Sequence, residues 1–196
     1  MVIHRDDRIA SAVAPAMTLS LRSGSVLAAK AMGNAMQTTA FDALYIPAND
    51  TPWFPYGPAG CEVQLIKADP TTGQFIVKLR GHAGDSLGIH RHYGAVIGFT
   101  LRGAWRYLEH DWVSRAGDFV QETPGSVHTL VLVEDSEILF IIDGALEYLD
   151  AEGRTLAHED WKSVIDKYRE FCAARGQRPI DITRPRAIAR DRVAAA

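Results

Sequence analysis

The sequence predicts an all-β domain, a sandwich or barrel of short antiparallel strands followed by one amphipathic helix. Three observations carry this. From residue 61 to residue 143, short runs rich in Val, Ile, Leu and Phe alternate with turns made of Gly, Asp and Pro. From residue 158 to residue 176 the apolar spacing becomes helical. The 196 residues, 47 % hydrophobic and 23 % charged, suffice for one domain with a core that stands alone.

Residues 1–40 are small, polar and weakly periodic, so they read as a flexible arm. Met17 and Met32 are alternative starts, and "IASAVAPAM" lacks the apolar core of a signal peptide. Order is expected from "FDALYIPANDTPWFPYGPAGCEV", where Pro47, Pro52, Pro55 and Pro58 impose extended, turn-rich chain around Trp53, Phe54 and Tyr56. "CEVQLIKA" and "QFIVKLR" are strands joined by the turn "DPTTG". "GHAGDSLG" then leads into "IHRHYGAVIGFTL", which turns at Gly103 into "AWRYLEH". "AGD" turns into "FVQE", and "HTLVLV" and "EILFIID" complete six or more strands. In "HEDWKSVIDKYREFCAARG", Trp161, Val164, Ile165, Tyr168, Phe171 and Cys172 share one helix face, with Asp and Glu at the start and Arg175 and Gly176 at the end. The tail beyond it, with Arg184, Arg186, Arg190 and Arg192, reads as solvated. The expected organisation is an arm over 1–40, a barrel over 41–150, and a helix and tail over 151–196.

Composition excludes several functions. A net charge of −3, with Lys and Arg dispersed, gives no footprint for nucleic acid or an anionic membrane. No apolar run approaches the ~20 residues of a membrane span. Cys61 and Cys172 lie far apart in no metal or redox spacing, which suits a reducing cytoplasm.

The chemistry is concentrated in "GIHRHYGAVIGFTLRG". Side chains at i and i+2 of a strand share a face, so His90 and His92 can share one cation. On their own they are as compatible with two partly exposed strand histidines. The spacing around them is more specific. Gly84, His90, His92 and Gly103 fit G-x5-H-x-H-x3-E-x6-G, and "GDFVQETPGSVH", Gly117 to His128, fits G-x5-P-x-G-x2-H with Thr123 at the first Pro. Pro124 and Gly125 make the turn that delivers His128. These paired motifs resemble the cupin superfamily over roughly residues 60 to 145, which implies a double-stranded β-helix, or jelly-roll, barrel.

Two departures shape the site. Val96 stands where the first motif has Glu, and Leu132 where Asn often follows the last histidine. This leaves three histidines, His90, His92 and His128, whose neutral imidazoles leave a divalent ion's charge uncompensated. Three coordination positions stay open, and the site favours an anionic bidentate ligand such as a deprotonated hydroxyketone or β-diketone. Glu122, six residues before His128, reads either as a solvated edge residue or as an acid that takes a substrate proton or holds a metal-bound water.

Longer runs, "WFPYGPAGCEVQLIKADPTTGQF", "HRHYGAVIGFTLRGAWRYLEHDW", "PGSVHTLV" and "DGALEYLDAEGR", are similar to the 2,4'-dihydroxyacetophenone dioxygenase family, close to the ChrR-like cupins. That resemblance implies iron(II) held by His90, His92 and His128, with Glu122 beside it. It also implies dioxygen-dependent cleavage between the ketone and hydroxymethyl carbons of a small aromatic hydroxyketone, giving 4-hydroxybenzoate and formate. Cupins commonly pair, so a homodimer or homotetramer is expected. The alternatives are a non-catalytic zinc-binding regulatory cupin, a dioxygenase acting on a β-diketone, and a zinc or manganese isomerase or hydrolase.

Weaker candidates for a substrate pocket are Tyr93, Thr100, Trp105 and Tyr107, which are as readily core residues. His82 and His110 at turn ends, and Arg102 and Arg106, read as surface groups.

Overall fold

The structure is a computed structural model and describes residues 45–57 and 60–183. The predicted arm, Pro58 and the arginines of the tail lie outside the described residues. Twelve strands run β1 (Trp53–Pro55), β2 (Glu62–Ala68), β3 (Phe75–Gly81), β4 (Ser86–His92), β5 (Val96–Arg102), β6 (Ala104–Tyr107), β7 (Ser114–Arg115), β8 (Phe119–Glu122), β9 (Val127–Leu132), β10 (Ser136–Ile142), β11 (Ala145–Leu149) and β12 (Thr155–Asp160). One helix follows, α1 (Trp161–Ala174). The strands form two antiparallel sheets of six, in the orders β1-β2-β3-β10-β5-β8 and β12-β11-β4-β9-β6-β7. The fold is the all-β cupin jelly roll with its C-terminal helix.

Alternation builds the interior. Phe75, Val77 and Leu79 of β3 and Ile138, Phe140 and Ile142 of β10 point inward, while the residues between them are partly exposed. Each fully buried side chain of this size contributes about 1.5–3 kcal/mol relative to exposure. The β2–β3 turn is held by Asp69, whose Oδ1 accepts from Thr71 N at 2.9 Å, with Gly73 at φ +77 completing it.

Strand β4 departs from simple alternation. Ser86 pairs with Val131 and Gly88 with Leu130, so Leu87 is an extra residue opposite the β9 ladder. Gly88 takes φ +75, and Ser86 Oγ bridges the gap by donating to Leu130 O at 2.7 Å and accepting from Gly88 N at 3.0 Å. Leu87, at the bulge, is buried, and so are His90 and His92 after it. The bulge therefore lets both a core leucine and the two histidines face inward.

Gly103 makes the β5–β6 turn at φ +78. A Cβ there would lie 2.2 Å from Asp135 O and 2.5 Å from Ser136 Oγ. Gly103→Ala is therefore expected to destabilise the fold by at least about 1–3 kcal/mol. The urea midpoint measures it, and an unchanged midpoint contradicts it.

The helix begins at Trp161, the first residue of its apolar pattern, and the acidic residues before it are strand and cap. His158 and Glu159 still pair with Glu147 and Leu146 of β11. Asp160 stays extended and accepts from Lys162 N at 3.0 Å and Ser163 N at 2.8 Å, while Ser163 Oγ accepts from Asp160 N. The acidic residues at the helix start, Glu159 and Asp160, thus end β12, and Asp160 caps the helix. Val164, Ile165, Tyr168 and Cys172 form the buried stripe, and Phe54 packs on Tyr168 and Phe171 with ring centroids at 6.3 and 5.8 Å. The sheet continues past residue 150, so the expected boundary there falls in the β11–β12 hairpin. No helix among the described residues is long and apolar enough to cross a membrane.

Candidate metal centre

The two histidine motifs meet across one strand pair. His90 on β4 lies directly opposite His128 on β9, and His92 follows two residues along β4. The turn before β9 closes onto β4, with Gly125 N donating to His92 O at 2.7 Å and Gly125 at φ +85. All three side chains are buried, and one ligand atom of each lies within 4.8 Å of the others. Their rings meet edge-on or tilted, with centroids 4.7 to 5.2 Å apart.

Gly88 of the bulge serves the site a second time. Its carbonyl oxygen lies 3.0 Å from His90 Nδ1, so the neutral ring donates there and leaves Nε2 as the lone-pair donor. Burial, and then the charges of His92 and His128, push the His90 pKa down to about 3. The ring therefore stays neutral at physiological pH, the state in which imidazole binds a metal.

Glu122 ends β8, and its cross-strand partner on β5 is Val96. Both side chains are buried. The carboxylate missing from position 96 thus has a counterpart directly across the ladder. Glu122 Oε2 lies 3.0 Å from His92 Nε2 and 3.2 Å from His128 Nε2, without the in-line approach of a hydrogen bond. Burial alone would raise this carboxyl. The imidazoles of His128 and His92 outweigh burial and hold it well below the usual range, so it is ionised.

In metal-free protein both shifts act in one direction. The unfolded chain takes up protons at His90 near 6.5 and at Glu122 near 4.5, and the folded chain resists both to lower pH. Stability falls as pH drops below about 6.5, so a urea midpoint at about pH 5 is expected below that at about pH 7. An equal or higher midpoint at the lower pH contradicts this.

Tyr107 holds two members of the cluster. Its ring stacks on His128 with centroids 3.7 Å apart and planes at 15°, and its hydroxyl donates to Glu122 Oε1. Burial and then the Glu122 charge push its own pKa well up, so it stays a donor. Tyr107→Phe keeps the stack and removes the donor. A loss of about 10–100-fold in metal affinity or turnover is expected, as for other groups that orient ligands. Titration with Fe(II) or Zn(II) reads it, and unaltered affinity and turnover together contradict it.

The other pocket candidates lie apart from the cluster. Trp105 is fully buried and donates from Nε1 to Thr100 Oγ1 at 2.7 Å, and Thr100 Oγ1 is also 2.7 Å from Ser114 Oγ. Tyr93 is 52 % exposed and donates to Glu147 Oε2 at 3.2 Å. Neither Trp105, Thr100 nor Tyr93 lines a cavity that reaches the histidines; Tyr107 does. His82 is exposed and paired with Asp135 at 3.3 Å.

The cluster opens onto a cavity of 620 Å³ bordered by His128, Glu122 and Tyr107. His110 and Trp112 wall it, stacked at 5.5 Å and 16°, and Ser126, Gln121 and Asp118 give it polar edges. His110, read from the sequence as a surface group, is both exposed and part of this wall. Trp112, Gln121 and Ser126 had no distinguishing signal beyond their nearness to the two motifs.

The donor set suits a divalent metal. His92 Nδ1 and Nε2, His128 Nε2 and Glu122 Oε2 are buried with no hydrogen-bond partner, and such atoms are costly unless something engages them. Three imidazoles and a neighbouring carboxylate fit Fe, Ni, Cu or Zn.

Comparison with known proteins places this geometry. Residues 42–147 match the family model of the ChrR cupin-like domain. An RmlC-like cupin protein from Ralstonia eutropha JMP134 is similar at 37 % identity, with a TM-score of 0.71 over 76 % of this chain and 99 % of that one. An acetylacetone dioxygenase from Acinetobacter johnsonii shares the fold at 21 % identity, with a TM-score of 0.61 over 69 % of this chain and 95 % of that one. No curated protein matches the sequence. The chain belongs to the ChrR cupin-like domain family.

Proposed function

We propose that the protein is a dioxygenase that cleaves the carbon–carbon bond of an aryl 2-hydroxyketone, such as 2,4'-dihydroxyacetophenone, giving 4-hydroxybenzoate and formate. Iron(II) would be held by His90, His92 and His128. The observation that carries the reading is an ionised, buried carboxylate, Glu122, held against a three-histidine cluster at the floor of an aromatic-walled cavity. The fold shared with an acetylacetone dioxygenase supports the reaction class.

The chain's own residues then have distinct tasks. His110 and Trp112 offer flat faces to an aryl ring, which orients the hydroxyketone side chain toward the histidines. Glu122 Oε2 accepts the proton from the carbon bearing the hydroxyl, and the substrate becomes an electron-rich enediolate. The Tyr107 hydroxyl fixes Oε1, so Oε2 remains aimed at the cluster. The Gly88 carbonyl fixes the tautomer of His90, and the Tyr107 ring fixes the plane of His128. A redox-active metal held by His90, His92 and His128 would supply Lewis acidity to the bound hydroxyketone and would let triplet dioxygen react with a singlet anion. The overall reaction consumes one dioxygen per hydroxyketone, and both its atoms enter the two acids.

Oxygen uptake tests this. Protein loaded anaerobically with Fe(II) is expected to take up dioxygen on addition of 2,4'-dihydroxyacetophenone and to release formate in equal amount. No uptake with this compound, with other hydroxyketones or with β-diketones would sink the reading. Retained zinc without turnover would point instead to a regulatory metal-binding cupin.

A further inference from the structure

A neutral imidazole that gives Nε2 to a metal carries its proton on Nδ1, and that N–H needs an acceptor. In His90 the acceptor is the Gly88 carbonyl. His92 has no such group. Its Nε2, 3.0 Å from Glu122 Oε2, belongs to the cluster, while its Nδ1 is buried with no hydrogen-bond partner in the protein.

His92 borders a space of 30 Å³ inside the barrel. That volume holds one or two waters, at about 10–15 Å³ each. The Tyr148 hydroxyl of β11 and the Tyr56 hydroxyl just after β1 belong to residues that line it, and both are buried with no aligned hydrogen bond. The Tyr107 hydroxyl, on the same wall, is already engaged by Glu122. A buried water needs two to four polar partners. Here it has three, one N–H to accept from and two phenol oxygens to donate to.

The two tyrosines lead on to a carboxylate. Burial, then the neighbouring Tyr148 and Glu159, push the Tyr56 pKa well up, and burial pushes that of Tyr148 up. Both hydroxyls therefore stay protonated, with Tyr148 able to donate to Tyr56 and Tyr56 to Glu159. Glu159 is 1 % exposed and accepts from Lys167 Nζ and, at 3.4 Å, from Ser163 Oγ. Lys167 Nζ also lies 5.3 Å from the centroid of the Tyr56 ring. One direction of donation satisfies every group, from ring N–H to water, from water to phenol and from phenol to carboxylate.

We propose that a resident water in this space links His92 Nδ1 to the Tyr148 and Tyr56 hydroxyls, and that these tyrosines are positioning residues of the metal centre, with Glu159 as the last acceptor. The water does for His92 what the Gly88 carbonyl does for His90. The proposal rests on the metal-centre part of the function proposed above and not on the reaction.

The test uses the full chain loaded with Zn(II). Nitrogen-15 spectra of the imidazoles read which ring nitrogen carries the proton, and are expected to show it on Nδ1 in His92 as in His90. Tyr148→Phe keeps the ring and removes the hydroxyl. The His92 Nδ1–H signal is expected to move and to exchange with solvent several-fold faster, while the His90 signal, held by Gly88, stays. Zn(II) affinity is expected to fall by about 10–100-fold, as for other partners of metal-ligating histidines. Tyr56→Phe should act in the same direction by less, and serves alone if Tyr148→Phe does not fold. A crystal structure of the loaded protein should show the water about 3 Å from Nδ1. A proton on His92 Nε2, no water at that place, or a His92 signal and a Zn(II) affinity unaltered in both variants overturns the proposal. Equal movement of the His90 and His92 signals marks a merely structural effect and overturns it too. A parent protein that binds no Zn(II) overturns it together with the metal centre. The expected shifts in Zn(II) protein, without oxygen uptake by the Fe(II) protein, remove the dioxygenase reading and leave the water link.

Discussion

His128→Ala is expected to strip the protein of metal and of turnover together, with both falling to background. The three buried imidazoles are the candidate donor set, and His128 is the member from the second strand. Without it, two donors on one strand remain, and Glu122 loses one of the two nitrogens that face it. Tyr107 loses the ring it stacks on at 3.7 Å. The measurement is metal content after dialysis against Fe(II) or Zn(II), paired with oxygen uptake and with circular dichroism to confirm the fold. Groups that merely orient a ligand typically cost about 10–100-fold. A variant that keeps its metal and loses less than this would show that His128 is not a ligand.

Glu122→Gln is expected to separate metal binding from chemistry. The amide keeps the shape and an acceptor for Tyr107, but it cannot take a proton. Loss of a positioned general base lowers kcat by about 10²–10⁴-fold. Metal content should stay near that of the parent. With substrate deuterated at the hydroxymethyl carbon, the variant should show a larger isotope effect on kcat, because proton removal becomes slower than the later steps. Loss of metal in parallel with activity would instead make Glu122 a ligand. Unchanged kcat would take it out of the reaction.

The histidines were legible because a strand's period of two and the spacing of Gly and Pro around them are local properties. Glu122 was legible as an acid near the cluster and a candidate to take a substrate proton, but not by its place in the sheet. What gives it meaning is its pairing with Val96, and that register is set by contacts between strands far apart in sequence. For the same reason Trp105 and Tyr107, alternating on one strand, looked alike. Both are buried, yet Trp105 reaches Thr100 and Tyr107 reaches Glu122. Tyr93 follows His92 immediately, so alternation turns it to the outside, where it meets Glu147. The helix was legible from Trp161 onward, but the acidic run before it reads the same in a first turn as in a strand that ends in a cap. Asp160 decides between them by staying extended.

The extra residue at Leu87 makes β4 a strand with two parities. Before it, one set of positions faces the barrel; after it, the other set does. Substitutions leave parity intact, so many could accumulate along β4 while both imidazoles still point inward. Deletion of a single codon there is different in kind. Either the Asp85–Ser86 end would rotate out of register, or His90 and His92 would swing to solvent and Ile89 and Arg91 would enter the barrel. The centre could thus be silenced by an indel that leaves every ligand-bearing codon unaltered.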